Sequence, residues 1–216
     1  MTPSFWSRSI RSTASSATET KRRSFPSRQI PPTTGDPSST QLTIQDKKAA
    51  QTILHASADA FVRDGASANT NFGTSTQLNV KTDAANSGFN RRAFLKFDIS
   101  SITNINSVKL QLFGNLSATA SSNVSAGVFA VADTSWSETG ITFNNQPTIG
   151  AQLATATILD TTPRLYTWDI TAYVKAQKAA GHNIITLAIK NLSPTSNFDI
   201  FNSREAASNV PQLVVS

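Results

Sequence analysis

The stretch Arg91–Ser100, RRAFLKFDIS, decides the fold, because its strict alternation puts Ala93, Leu95 and Phe97 on one side and Arg92, Phe94, Lys96 and Asp98 on the other. That period of two is the pattern of a strand with one face in a core. The second face carries two cations and an aromatic ring, which makes it the first place to look for a ligand. The preceding run Gln77–Thr82, QLNVKT, alternates in the same way, with Leu78 and Val80 inward and Asn79 and Lys81 outward. If the two runs pair as antiparallel neighbours across the loop 83–90, Lys81 falls opposite Arg92 and Asn79 opposite Phe94. Like charges set face to face cost stability, so a basic pair there implies an anionic or polar partner.

From Thr52 onward, short alternating segments are divided by Gly, Asn, Ser, Thr and Pro at the spacing of an all-β domain. Strands are predicted over 53–63, 77–82, 91–98, 106–114, 122–132, 153–159, 164–169, 183–191, 197–203 and 211–215. Their long, irregular connections fit a two-sheet antiparallel β-sandwich of jelly-roll type. One short helix is predicted over 169–181, DITAYVKAQKAAG. Asp169 and Thr171 are its candidate N-caps, Ile170 and Val174 its buried pair, Tyr173 a packing residue and Gly181 its C-terminal stop.

Charge separates the chain into two parts. Residues 1–50 hold eight Lys/Arg against three Asp/Glu, leaving eleven against ten for residues 51–216. Most of the formal +6 therefore sits in a Ser/Arg/Pro-rich tail expected to be disordered, and 51–216 is read as one module. The tail's start is Arg- and Ser-rich and lacks the apolar core of a secretory signal, a composition that transit peptides share. A nearly neutral module argues against a nucleic-acid partner, and any basic site on it must be local. No apolar run approaches the roughly 20 residues of a membrane span. There is no cysteine, which excludes disulfides and thiolate metal sites.

Catalytic machinery is not legible. His55 and His182 are the only histidines, and neither lies in a recognisable motif. Asp59, Asp64, Asp98, Asp133, Glu138, Asp169 and Glu205 could pair for glycoside hydrolysis, but most stand at turn or cap positions where carboxylates serve the backbone. Jelly rolls often hold a structural calcium through loop carboxylates, and Asp59 or Asp64 could serve, but no ligand spacing of EF-hand type supports it, so neither metal nor cofactor is expected.

Several clusters occur in a telling order: ADAFVR (Ala58–Arg63), NTNFG (Asn69–Gly73), RAFLKFDI (Arg92–Ile99), WSETGITFNNQP (Trp136–Pro147), NSRE (Asn202–Glu205) and PQLVV (Pro211–Val215). Over roughly residues 54–216 the chain resembles the DNRLRE-type domains grouped as carbohydrate-binding module family 96, although the hexapeptide itself is absent. The resemblance implies a non-catalytic β-sandwich attached to secreted polysaccharide-degrading or cell-surface proteins, hence an extracellular location, with acidic polysaccharides such as alginate as ligands. Read for their physics alone, Asn71 and Gly73 suit a tight loop with positive φ, and Phe72 plugs the sandwich end. Trp136 and Phe143 read as core caps, and Asn144, Asn145 and Pro147 as a turn.

The functional expectation is a monomeric module that binds an alginate- or pectin-like polysaccharide without chemistry. Arg63, Lys81, Arg92, Phe94, Lys96 and Arg204 are its candidate ligand residues: Arg grips a planar carboxylate with two hydrogen bonds, Lys acts as a point charge, and a ring carries the apolar face of a sugar. Arg204 and Glu205 also read as an ion pair. The alternative is a structural or adhesive surface domain with a protein partner.

Overall fold

The computed structural model describes residues 51–118 and 123–216. The tail expected over 1–50 lies outside the described residues. Among the described residues, eleven strands form two antiparallel sheets: β1 (Thr52–His55), β2 (Ala58–Arg63), β3 (Gln77–Val80), β4 (Arg91–Asp98), β5 (Val108–Leu116), β6 (Val124–Val131), β7 (Ile149–Ile158), β8 (Arg164–Asp169), β9 (Ile184–Asn191), β10 (Asp199–Asn202) and β11 (Gln212–Val215). One sheet runs β2-β4-β9-β6-β7. In the other, β5 pairs β8 along one edge and both β11 and β10 along the other, with β1 beyond β11 and β3 beyond β10. The fold is thus the two-sheet antiparallel sandwich that the alternation predicts, with one short helix, α1 (Thr171–Ala179).

Inward faces interlock as their patterns require. Leu78 and Val80, Ala93, Leu95 and Phe97, Val108, Leu110 and Leu112, Ile185, Leu187 and Ile189, and Leu213 and Val215 all enter one buried cluster. Trp168 ties the sheets together: its ring meets Phe201 edge-on at 6.0 Å, and its Nε1 donates across the sandwich to the Ala126 carbonyl at 3.0 Å. The tryptophan N–H is satisfied inside the core, so the ring can be buried whole. Phe72 stacks on Phe61 at 4.3 Å and packs against the core, as the plug reading requires.

Three local expectations are corrected. The run 53–63 is two strands, because the chain changes sheets at Ala56–Ser57: the Ala56 N–H is taken by the Pro211 carbonyl and the Ser57 N–H by that of Lys96. The runs 77–82 and 91–98 are not ladder neighbours. β3 pairs β10, whereas β4 lies between β2 and β9, and only a single bridge, Lys81 to Arg91, joins them across the sandwich edge. Lys81 therefore does not stand opposite Arg92. Gly73 is required by space rather than by positive φ, since a Cβ there would lie 2.1 Å from the Glu138 carbonyl oxygen.

Helix α1 ends on the expected signal, but its start is corrected: the boundary position is Ile170, which gives no side-chain cap, and Thr171 is the first helical residue. Asp169 accepts the Thr171 N–H at 2.9 Å one residue before the boundary position Ile170, and Gly181 follows the last turn at φ +78°. Ile170 and Val174 are buried, and Tyr173 packs on the core.

One buried carboxyl is poorly compensated. Asp199 on β10 is fully buried, and neither of its oxygens has a partner. Burial pushes it up to about 8, against the lowering effect of Asn191. A carboxyl raised above its unfolded value binds the extra proton in the folded state, so its stabilising contribution is complete below about pH 4 and is lost as pH rises towards 8. Urea unfolding should therefore give a chain less stable at pH 8 than at pH 5, by on the order of a few kcal/mol. Asp199→Asn should flatten that slope; an unchanged slope in the variant would remove Asp199 as its source.

Candidate functional site

The solvent side of the β2-β4-β9-β6-β7 sheet is not polar. Ala60, Val62, Phe94, Val131 and Ala188 make it a second apolar surface, and the loop 132–148 between β6 and β7 folds over it with Trp136 and Ile141 as its buried anchors. Phe94 meets Trp136 edge-on at 6.2 Å and is 0% exposed. The expectation that Phe94 presents a ring to solvent is thereby corrected: alternation assigns its face, and the lid covers that face. Trp136 and Phe143 are structural, as read from the sequence.

Polar contacts hold the lid down. Trp136 Nε1 donates to Thr186 Oγ1 at 3.1 Å, and Asn71 Nδ2 donates to the carbonyls of Glu138 and Ile141, both at 2.7 Å. Lys96 donates to the Trp136 carbonyl at 2.6 Å and lies 4.7 Å from its ring centre. Desolvation beneath the lid lowers the Lys96 pKa. Arg92 donates to Gln146 Oε1 at 3.0 Å and lies over Phe143 at 5.2 Å. Two of the expected ligand cations are thus engaged by the lid.

The six candidate residues separate into two groups. Phe94, Lys96 and Arg204 lie around the lid, where Arg204 pairs with Glu138 at 2.8 Å and stands 3.8 Å from Glu205. The ion pair expected between Arg204 and Glu205 therefore has Glu138 as its nearer partner. Asp59, on β2, accepts the Arg204 N–H at 2.8 Å, and its own N–H is taken by Glu138. Burial pushes Asp59 up to about 7, with Glu205 and Glu138 adding to the rise against the Arg204 hydrogen bond.

Arg63, Lys81 and Arg92 gather at the other end, around the loop 82–90. A cleft of about 390 Å³ opens there, lined by Asp64, Asp83, Asn86, Asn90, Arg92, Phe143 and Lys190, among others. Its two acids are occupied: Asp64 accepts both the backbone and side-chain N–H groups of Asn90 at 2.9 Å, and Asp83 pairs with Lys81 at 3.0 Å. Arg63 donates to the Gly88 carbonyl at 3.1 Å, and Arg63 and Lys81 flank Phe89, which is 49% exposed. Arg91 lies over Phe198 at 4.7 Å. Lys190 and Arg91 are the residues that the sequence reading missed. Lys190 reaches the cleft because β9 pairs β4 up to Ala93 and Ile189, so that the next residue along β9 adjoins Arg92. Arg91 extends the same basic edge through its bridge to Lys81.

Carboxylates elsewhere serve the backbone. Asp98, Asp133 and Asp169 each accept the N–H two residues on, and their pKa values are lowered first by the hydroxyls of Ser100, Ser135 and Thr171 and then by those N–H contacts. A larger cleft, about 600 Å³, lies beside α1 and is lined by Thr134, Tyr173, Gln177, His182 and Asn183 among others, without a cation of Lys or Arg type.

A family model described as carbohydrate-binding module family 96 matches residues 50–216. The chain belongs to that family. As a member it is a non-catalytic module that binds polysaccharide. A gellan lyase from Bacillus sp. is 33% identical over 132 residues, which cover 59% of this chain and 5% of that enzyme; the chain thus spans a small fraction of its relative's length. Among solved structures, a CBM36-1 domain of a multidomain xylanase from the hindgut metagenome of Trinervitermes trinervoides superposes with a TM-score of 0.36 at 8% identity, covering 77% of this chain and 98% of its own. The CBM22-1-GH10 modules of a Clostridium thermocellum xylanase, complexed with xylohexaose, give 0.30 at 9% identity over 74% and 29%.

The lid gives the module its own test. Phe94→Ala should cost about 3–5 kcal/mol in urea unfolding, as for a buried ring. Phe89→Ala, at the exposed ring, should stay within about 0.5 kcal/mol. Equal costs for the two would mean that the lid does not bury Phe94.

Proposed function

We propose that the module binds an acidic extracellular polysaccharide in the cleft at the loop 82–90. One observation carries this reading: Arg92 and Lys190 line the cleft beside two acids whose oxygens are already engaged, and Arg63, Lys81 and Arg91 stand on the adjoining edge around Phe89 and Phe198, on a module that is nearly neutral overall. Such a local positive field suits a chain of carboxylates. Arg92 can grip a carboxylate while Lys190 supplies a point charge. Thr82, Asn86 and Asn90 lie where sugar hydroxyls would need partners, and the exposed Phe89 ring offers a face to a pyranose. Lys96 and Arg204, held by the lid and by Glu138, have secondary parts at most. The relationship to a gellan lyase supports an extracellular setting beside polysaccharide-degrading enzymes.

Affinity electrophoresis against polyuronates and neutral glucans tests the reading. Retention is expected in polyuronate gels and is expected to weaken as salt rises, because exposed charge pairs are screened over about 8–10 Å. Arg92→Gln combined with Lys190→Ala should weaken binding by roughly ten- to a hundredfold in a chain that stays folded by circular dichroism. Affinity indifferent to both changes would overturn the cleft as the site. Retention by neutral glucans alone would point to the larger cleft beside α1, and retardation in no gel to a protein partner.

A further inference from the structure

We infer that Asp59, Glu138 and Glu205 form a calcium-binding site that fastens the lid to both sheets. The three come from β2, from the lid and from the loop after β10, and one carboxylate oxygen of each lies within 4.8 Å of the others. Oxygens bound to one calcium ion at 2.3–2.6 Å can stand no farther apart than about 4.6–5.2 Å, so the spacing allows all three to share a single coordination sphere.

A second, independent observation points to a ligand in the cluster. Asp59 is 0% exposed; its Oδ2 accepts the Arg204 N–H, but its Oδ1 has no partner. Glu205 Oε2 is likewise buried and unpartnered. Buried carboxylate oxygens left without donors or cations are strongly unfavourable. Arg204 bonds Glu138 Oε2 at 2.8 Å and stands 3.8 Å from Glu205 Oε1, leaving the orphaned oxygens unserved. Once all three carboxylates are ionised, they stand at a local charge of about −2 against this one guanidinium, which a divalent cation neutralises. The donor set is all oxygen, as calcium prefers, and water completes the sphere; magnesium needs a tighter octahedron and keeps more of its own water.

The consequence is mechanical. Glu138 also receives the Asp59 N–H, and the Asn71 side chain holds its carbonyl. A cation there would pin the lid segment nearest Trp136 to an edge strand of one sheet and to a loop of the other.

The experiment uses the whole chain, stripped with EDTA, with no polysaccharide present, so that its outcome is independent of the binding cleft. Calcium chloride at about one hundred times its dissociation constant should raise the melting temperature by roughly 5–10 °C, reversibly with EDTA, and magnesium by much less. Asp59→Asn with Glu205→Gln should abolish the shift and the calorimetric heat of calcium binding. If that pair fails to fold, Glu205→Gln alone should weaken calcium binding roughly tenfold or more. No calcium response in the stripped protein, or a wild-type response in a folded variant, would overturn the site.

Discussion

One sheet of this sandwich is apolar on both faces, and everything around the candidate site follows from covering the second face. Ala60, Val62, Phe94 and Ala188 would expose a contiguous apolar surface if the connection between β6 and β7 were short. Folding the loop 132–148 over them buries two large side chains of the loop, Trp136 and Ile141, against the sheet. Loop backbone carries polar groups that must be satisfied when it is pressed against protein. That requirement explains why Asn71 and Lys96 turn towards the lid, while Thr186 takes the indole N–H of its buried anchor Trp136.

This arrangement changes what a cation on a strand means. Lys96 and Arg92 project from the same face of β4, yet Lys96 ends beneath a carbonyl and an indole ring, and Arg92 only partly reaches the open cleft. The division runs along the strand: the end near the loop 82–90 emerges from under the lid, and the middle does not. Positive charge is concentrated where the sandwich edge closes, because the Lys81–Arg91 bridge draws β3 and β4 together and brings their basic residues with it. Phe89 and Phe198 lie under these side chains and lessen the repulsion among them.

The far end of β2 has the opposite character. There Asp59, Glu138 and Glu205 meet around Arg204, so the two ends of one edge strand present a basic cleft and an acidic cluster. Both depend on the lid, through Phe143 at the cleft and Glu138 at the cluster. Lid order and the two proposed sites are therefore linked by shared residues rather than by proximity alone.

Alternation by itself determined most strand positions and their inward faces, hence the sandwich, though not the break at Ala56–Ser57 or the start of β7 at Ile149, and the stop at Gly181 marked the end of the helix. The Trp136–Pro147 segment could also be recognised as structural, since its aromatic residues and turn formers form a self-bonded loop in which Asn145 accepts the Thr142 N–H. Tertiary structure alone decided that Phe94 is buried, that β3 and β4 belong to different sheets, and that Lys190 joins Arg92. A period of two distinguishes two faces of a strand but does not say which is covered, and the cover for Phe94 arrives some forty residues later. Pairing is equally non-local: β4 meets β9 nearly a hundred residues away, and no local pattern carries that register.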